Sequence, residues 1–178
     1  MPHPNRIRSF APLLAFVAAA GYCVEGAIVV RAPQGDSGWH ASGYAVEAAF
    51  VIALLASIPL VGALRHSSSR ASTIAAWLVR IGFGAMLVSA VPSLVAGEDM
   101  VGPAFLLGVL ASVVGLGWLA VVETRTRADG WWAAPAVAAG LVLSMVLGDH
   151  GGGILLGLAW AATIPAARDG GHPATVGA

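Results

Sequence analysis

The chain has 178 residues, of which 58% are hydrophobic and 10% are charged, and its formal net charge is zero. Soluble domains carry roughly 25% charged residues, so this composition excludes a soluble globular domain, a disordered chain and a nucleic-acid-binding protein. It indicates a membrane protein. Lysine is absent and Cys23 is the single cysteine, which excludes lysine Schiff-base chemistry, a disulfide within the chain and a cysteine zinc site.

Apolar runs of about 20 residues, the length that crosses a bilayer as a helix, recur along the chain. They predict an all-α bundle of six transmembrane spans at residues 10–30, 44–64, 72–95, 101–122, 131–147 and 151–167. A five-span alternative fuses the last two across the glycine-rich break at 148–153. The predicted organisation is a cytoplasmic N-terminus at 1–9, a six-helix transmembrane domain at 10–167 and a cytoplasmic tail at 168–178.

The arginines predict the orientation. One set of loops and termini holds Arg6, Arg8, Arg65, Arg70, Arg125, Arg127 and Arg168, whereas the opposite loops hold Arg31 with Asp36, Glu98, Asp99 and Asp149. The positive-inside rule therefore places both termini in the cytoplasm. The tryptophans near that interface are typical of an aromatic belt: Trp77, Trp118, Trp131 and Trp132. An arginine-only, Ala/Gly/Val-rich chain suggests a bacterial source and a multi-pass protein of the cytoplasmic membrane.

Three stripes of small residues at four-residue spacing predict close helix packing. They are Ala11, Ala15 and Ala19 in the first span, Ala104, Gly108 and Ser112 in the fourth, and Gly153, Gly157 and Ala161 in the sixth. Packing within one bundle is the favoured interpretation. A homo-oligomer formed through these faces is the alternative.

Three ionisable residues lie inside predicted spans: Glu25, Glu47 and Arg80. Residues 21–30 align with residues 43–52, with identity at six of ten positions that includes both Tyr–Glu pairs, Tyr22 with Glu25 and Tyr44 with Glu47. Antiparallel neighbouring helices would bring both carboxyls to one level, roughly 6–8 Å below the outer surface. Tyr and Glu are three residues apart in each helix and so share a face.

Two carboxyl groups in one low-dielectric site cannot both ionise cheaply, so one is expected to hold a proton. That arrangement suits a general acid and suits a proton-coupled cation site equally well. The alternative is that each glutamate reaches the outer interface or bonds to a neighbouring helix. Arg80 is expected to extend toward the cytoplasmic interface, because pairing with Glu25 or Glu47 would require it to cross most of the intervening depth.

The first functional hypothesis is an integral membrane enzyme in which Glu25 or Glu47 protonates a lipophilic substrate. Aromatic faces stabilise carbocations, and the candidate substrate-binding residues are Tyr22, Tyr44, Trp39, Phe50, Trp160 and Arg80. A small, polytopic, carboxylate-bearing chain without an Asp-rich diphosphate motif resembles the integral membrane terpene cyclases of meroterpenoid and indole-terpenoid pathways. The resemblance implies proton-initiated cyclisation of an isoprenoid-type substrate with no redox cofactor.

Two other classes of function stay open. One is a small transporter, either a vitamin-binding subunit of an energy-coupling transporter or a proton-exchanging exporter of lipophilic cations. The other is a structural or regulatory membrane protein without chemistry. The outer-loop carboxylates, with His40 and His150, match no metal-ligand spacing, so no metal site is predicted.

Overall fold

A computed structural model describes residues 4–31, 41–97, 102–126 and 130–169. Within these ranges the secondary structure is entirely helical, which confirms the predicted all-α class. The helices are α1 (Pro4–Arg31), α2 (Ala41–Leu60), α3 (Arg70–Ala96), α4 (Pro103–Thr126), α5 (Ala133–Val146) and α6 (Gly153–Asp169), with a 3₁₀ turn (Gly148–His150) before α6.

Four of these helices are long and apolar enough to cross a membrane. The segments that qualify are Phe10–Arg31, Ser42–Leu60, Arg70–Ala96 and Pro103–Thr126. The remaining apolar segments, Ala133–Val146 and Gly153–Pro165, are shorter. The 14 residues of α5 rise about 21 Å, against a hydrocarbon thickness of about 30 Å. The fold is therefore that of a membrane protein in which two short helices accompany four long ones.

The helices form a closed ring. Each helix packs against the next in chain order, and α6 packs back against α1. The ring is held by contacts between small residues. A β-carbon placed on Gly157 would lie 2.7 Å from the backbone oxygen of Ala19, and one placed on Gly108 would lie 2.7 Å from that of Gly82. Glycine at these positions lets the backbones touch.

Most residues of the predicted small-residue stripes face partners within the chain, whereas Ala104 is exposed. In the first span Ala11, Ala15 and Ala19 are buried, and Gly108 and Ser112 of α4 lie against α3. Gly153 and Gly157 of α6 lie against α1. These contacts agree with packing inside one bundle.

The break between α5 and α6 depends on glycine. Gly151 has a left-handed backbone with φ of 79°, a conformation that only glycine adopts without strain. Gly152 lies directly on the backbone of Ser144 in α5 and leaves no room for a side chain. Residues 133–169 therefore form two helices separated by a tight turn.

A buried glutamate fixes the connection between α2 and α3. Glu123 in the last turn of α4 is fully buried. Its Oε2 accepts hydrogen bonds from the backbone N–H groups of His66 (3.1 Å) and Ser67 (3.0 Å), and its Oε1 accepts one from the Ser72 hydroxyl (2.7 Å). Ser69 caps α3 by accepting a bond from the Ser72 N–H. This one side chain joins α4 to α3 and to the α2–α3 connection at a single end of the ring.

Candidate functional site

The structure brings the two membrane glutamates to the same level of the α1–α2 pair. A β-carbon on Gly21 would lie 2.9 Å from both the Ala49 oxygen and the Ala53 Cβ, so Gly21 is level with the residue midway between them. Four residues further along α1 is Glu25, and four residues back along the antiparallel α2 is Glu47. The two carboxyls lie close enough for their charges to repel each other, and both side chains are half-buried.

A third element touches this carboxyl pair. The Oε2 atom of Glu25 occupies the space that a side chain on Gly153, the first residue of α6, would fill. Glu25 thus lies where α1, α2 and the N-terminus of α6 meet. The N-terminus of a helix carries the positive end of the helix dipole, which stabilises a negative charge placed there. The glycine therefore admits the carboxylate to that position.

Aromatic rings lie beside the carboxyl pair. The Tyr22 ring meets the Phe50 ring edge-on, with centroids 6.2 Å apart, and Phe50 is tilted against Phe105 of α4 at 6.3 Å. Tyr22 is almost completely buried, and its hydroxyl hydrogen-bonds the Ser57 side chain of α2. Phe50 and Phe105 are half-buried. These rings give the site an apolar wall that can accept positive charge on an aromatic face.

Tyr44 does not extend this aromatic row as the sequence repeat suggested. Its hydroxyl lies against Gly97, the left-handed residue that ends α3, and 43% of the side chain is exposed. Tyr44 therefore packs across the α2–α3 contact, whereas Tyr22 packs across the α1–α2 contact. The same three-residue spacing from a glutamate leads to different neighbours because each helix of the ring has its own pair of partners.

Trp160 of α6 is fully buried below the carboxyl pair. Because Gly157 lies against Ala19 and Cys23, Trp160 falls about one turn, or about 5 Å, deeper than Tyr22. Its indole N–H finds no hydrogen-bond acceptor within the part of the chain that the structure describes. A buried donor without an acceptor costs about 1–3 kcal/mol, so this N–H is available to a polar atom of a ligand.

Arg80 lies apart from the glutamates. Its guanidinium stacks over the Trp77 ring, 5.2 Å from the centroid, and its Nη2 atom reaches the end of α2 beside Gly62. That is the predicted direction along the helix, toward the N-terminus of α3. The structure therefore does not place Arg80 among residues that could touch a ligand at the carboxyl pair.

Three residues that shape the site or its frame were not predicted from the sequence to do so. Nothing in the sequence distinguishes Phe105 from the other apolar residues of its span. Gly153 was visible only as a packing residue. Glu123 did carry a signal, because an acid in the last turn of a helix opposes the helix dipole and so indicates a local partner.

Trp39 and the acids of the loops at 32–40 and 98–101 lie outside the described residues. Within those residues no group of three His, Cys, Asp or Glu side chains could hold a metal ion.

Comparison of the chain with protein-family models, with curated proteins and with solved structures finds no match.

Proposed function

We propose that the protein is an integral membrane enzyme that uses the Glu25–Glu47 pair for proton-initiated chemistry on a lipophilic, isoprenoid-type substrate. The observation that carries the proposal is the pairing itself: two half-buried carboxyls at one level, beside the Tyr22–Phe50 aromatic contact. The character shared with membrane terpene cyclases supports the same chemistry. The half-buried faces of Phe50 and Phe105 leave an apolar approach to the carboxyls.

The two glutamates can divide the reaction between them. The protonated member of the pair donates its proton to an epoxide oxygen, the C–O bond opens, and an alkene electron pair closes a new C–C bond. The resulting carbocation is held against the aromatic rings. It then loses a proton to the other carboxylate and forms an alkene. The product is an isomer of the substrate, and the pair ends with the one proton with which it began, so no cofactor is consumed.

We further propose the membrane arrangement in which this site works. α5 and α6 cross the bilayer as short spans, giving six crossings with both termini in the cytoplasm of a bacterial cell. The arginine distribution supports this orientation, and the 17 residues of α6 are close to the shortest length that spans a bilayer, about 17 residues. In this orientation the glutamate pair lies in the outer leaflet and Glu123 lies at the cytoplasmic end.

A second candidate function is proton-coupled transport of a lipophilic cation. The observation that favours it is the contact of Glu25 with the N-terminus of a short helix that follows a glycine-rich break. Transporters build ion and substrate sites from such interrupted helices. In this version a cation displaces the proton from the carboxyl pair and lies against the same aromatic rings.

The experiment that separates the two functions uses purified protein in detergent with two kinds of ligand. Epoxy-isoprenoids joined to an aromatic group test the enzyme, and tetraphenylphosphonium tests the cation site. Incubation products are analysed by liquid chromatography and mass spectrometry for an isomer of unchanged mass. Proton release on ligand addition is followed in weakly buffered solution.

Variants make the result specific. The enzyme proposal predicts an isomeric product that Glu25→Gln or Glu47→Gln reduces by at least about 10²-fold, the usual contribution of a general acid, while thermal stabilisation by the substrate persists. Tyr44→Phe is the matched control, because Tyr44 packs on α3 away from the pair, and it should keep the activity. Proton release by tetraphenylphosphonium that disappears in both Gln variants, with no isomeric product, would replace the enzyme with the transport function.

A further inference from the structure

Two arginines lie at the end of the ring opposite the glutamate pair. Arg80, in the membrane-spanning segment of α3, places its Nη2 atom beside Gly62, three residues before Arg65 in the connection after α2, and the interaction between the two positive charges is repulsive. An arginine inside a membrane span is costly unless its charge is compensated, and a second cation nearby adds to the cost. A negatively charged group near both arginines would lower this cost.

No described carboxylate forms an ion pair with either arginine. Glu123 is the nearest acid by its contacts with the α2–α3 connection, but its two oxygens are already occupied by two backbone N–H groups and the Ser72 hydroxyl. Arg65 Nη2 donates to the Thr73 hydroxyl at 2.8 Å, which is a neutral partner. Among the residues the structure describes, neither guanidinium forms an ion pair.

Two consecutive residues of the α2–α3 connection each have a buried nitrogen without a partner. The Nε–H of Arg65 and the Nδ1 atom of His66 are buried, and within the described ranges neither has a hydrogen-bond partner. Buried polar groups without partners are rare in folded proteins and point to a missing ligand, ion or water. Arginine and imidazole nitrogens are together suited to an oxyanion with several acceptor oxygens.

The surroundings indicate where this oxyanion comes from. Trp77, on which Arg80 stacks, is 57% exposed on the outer surface of a membrane-spanning helix. A ligand at Arg80 therefore has its charged group against the arginines and its remainder beside a lipid-facing tryptophan. Basic pockets between membrane helices on the cytoplasmic side bind the headgroups of anionic lipids.

We propose that Arg65 and Arg80 bind a phosphate group, and that it is the headgroup phosphate of an anionic glycerophospholipid whose acyl chains lie along Trp77. Soluble phosphate has the same oxyanion chemistry but none of the apolar contact. This phosphate site uses none of the residues of the glutamate pair, so the test of lipid binding and the test of enzyme activity can fail independently of each other.

The test uses the full-length protein in a neutral detergent with three probes: dioleoylphosphatidylglycerol, dioleoylphosphatidylcholine and inorganic phosphate. Melting temperature and native mass spectrometry report binding. The variants are Arg80→Gln and Arg65→Gln. Arg70→Gln is the matched control, because this substitution removes the same charge from an exposed position at the same end of the bundle. Two separate site variants keep the test valid if one of them does not fold.

The expected result is that phosphatidylglycerol raises the melting temperature of the wild type and of Arg70→Gln and stays bound in the mass spectrum. Either site variant weakens that binding about fivefold or more, the effect of one cation near an anionic lipid surface. Equal stabilisation of all four proteins, or equal effects of phosphatidylglycerol and phosphatidylcholine, would overturn the proposal. Stabilisation by inorganic phosphate to the same extent would overturn the lipid assignment and leave a soluble oxyanion site.

Discussion

Glu123 illustrates how one side chain can determine a loop. It is fully buried and accepts two hydrogen bonds from the α2–α3 connection and one from Ser72 in the first turn of α3. Without it, two backbone N–H groups and the Ser72 hydroxyl would be left buried and unpaired. Each such group costs about 1–3 kcal/mol. The connection that carries Arg65 and His66 therefore keeps its shape because of a residue more than 50 positions away.

We expect Glu123→Ala to lower the free energy of unfolding by about 3 kcal/mol or more, since three donors lose their acceptor. Glu123→Gln should cost less, because the amide oxygen still accepts. The measurement is reversible unfolding in mixed micelles of sodium dodecyl sulfate and a neutral detergent. Thr124→Ala, at an exposed position whose hydroxyl bonds only to the Ala120 oxygen of its own helix, is the control. It should change stability by no more than about 0.5 kcal/mol, and similar losses in both variants would contradict the anchoring role.

Gly153 lies against the Glu25 carboxylate, so a substitution at Gly153 tests the position of that carboxylate. Gly153→Ala places a methyl group where the Glu25 carboxylate lies, so it should remove activity or cation-linked proton release as fully as Glu25→Gln does. Gly157→Ala crowds the same α1–α6 contact but meets Cys23 and Ala19 instead. Both variants should lose stability, but only Gly153→Ala should lose the function at a temperature where both are folded. Parallel loss of function in the two variants would show that crowding of the helices, rather than displacement of the carboxylate, is responsible.

The residues differ in how far the sequence could predict them. The common level of Glu25 and Glu47 followed from helix rise and antiparallel neighbours, because both quantities are fixed by backbone geometry. The direction of Tyr44 toward Gly97 did not follow, since it depends on which neighbouring helix the ring meets. Phe105 and Phe50 belong to α4 and α2, which are not consecutive in the chain, so their contact did not follow from the order of the helices. The role of Glu123 required knowledge of the loop that surrounds it. Contacts that depend on tertiary packing leave no periodic pattern in the sequence, so they could not be predicted from it.

At the scale of the element, α3 and α4 show how glycine determines the separation of helices. A β-carbon on Gly82 would lie 2.6 Å from the Gly108 oxygen, and one on Gly108 would lie 2.9 Å from the Met86 nitrogen. Both obstacles are backbone atoms, which cannot move aside as a side chain can. A larger residue at either position must push the helices apart.

We therefore expect Gly108→Ala to destabilise the protein by about 1–3 kcal/mol, the usual cost of overpacking a close contact. Gly84→Ala on α3 is its matched control, because a β-carbon there meets nothing within 4 Å, and it should be neutral or stabilising by up to about 1 kcal/mol through helix propensity. Unfolding free energies of the two variants give the comparison. An unchanged stability for Gly108→Ala with an altered oligomeric state by light scattering would instead assign this stripe to a homo-oligomer.

At the scale of the whole molecule, the closed ring gives every helix two neighbours in the chain order, with α6 completing the circle against α1. Neighbouring helices that are consecutive in sequence can pair by short connections, so the order of spans along the chain predicts most of this arrangement. The bounds predicted for the last two helices, 131–147 and 151–167, lie within two residues of those of α5 and α6. The glycine-rich break at 148–153 marks the turn between them, where Gly151 and Gly152 allow the backbone to bend.

The six-crossing arrangement makes a prediction about the accessibility of loops. In a Cys23→Ser background, a cysteine introduced by Ser68→Cys should react with a membrane-impermeant maleimide only after the cytoplasmic side is opened. A cysteine introduced by Ser37→Cys, on the predicted outer loop, should react in intact cells. The reverse pattern would invert the proposed orientation and move the glutamate pair to the inner leaflet.

The closure of α6 on α1 also bears on how much the order of the chain matters. Because these two helices are antiparallel and in register, the last turns of α6 lie level with the first turns of α1. A short peptide joining the two ends would make the backbone a circle, and that circle could be opened at the connection between α4 and α5. Such a circularly permuted protein would keep every interhelical contact and start with α5. Whether this protein inserts and folds would show if the bundle requires its helices to be synthesised in their natural order, or requires only that all six helices are present.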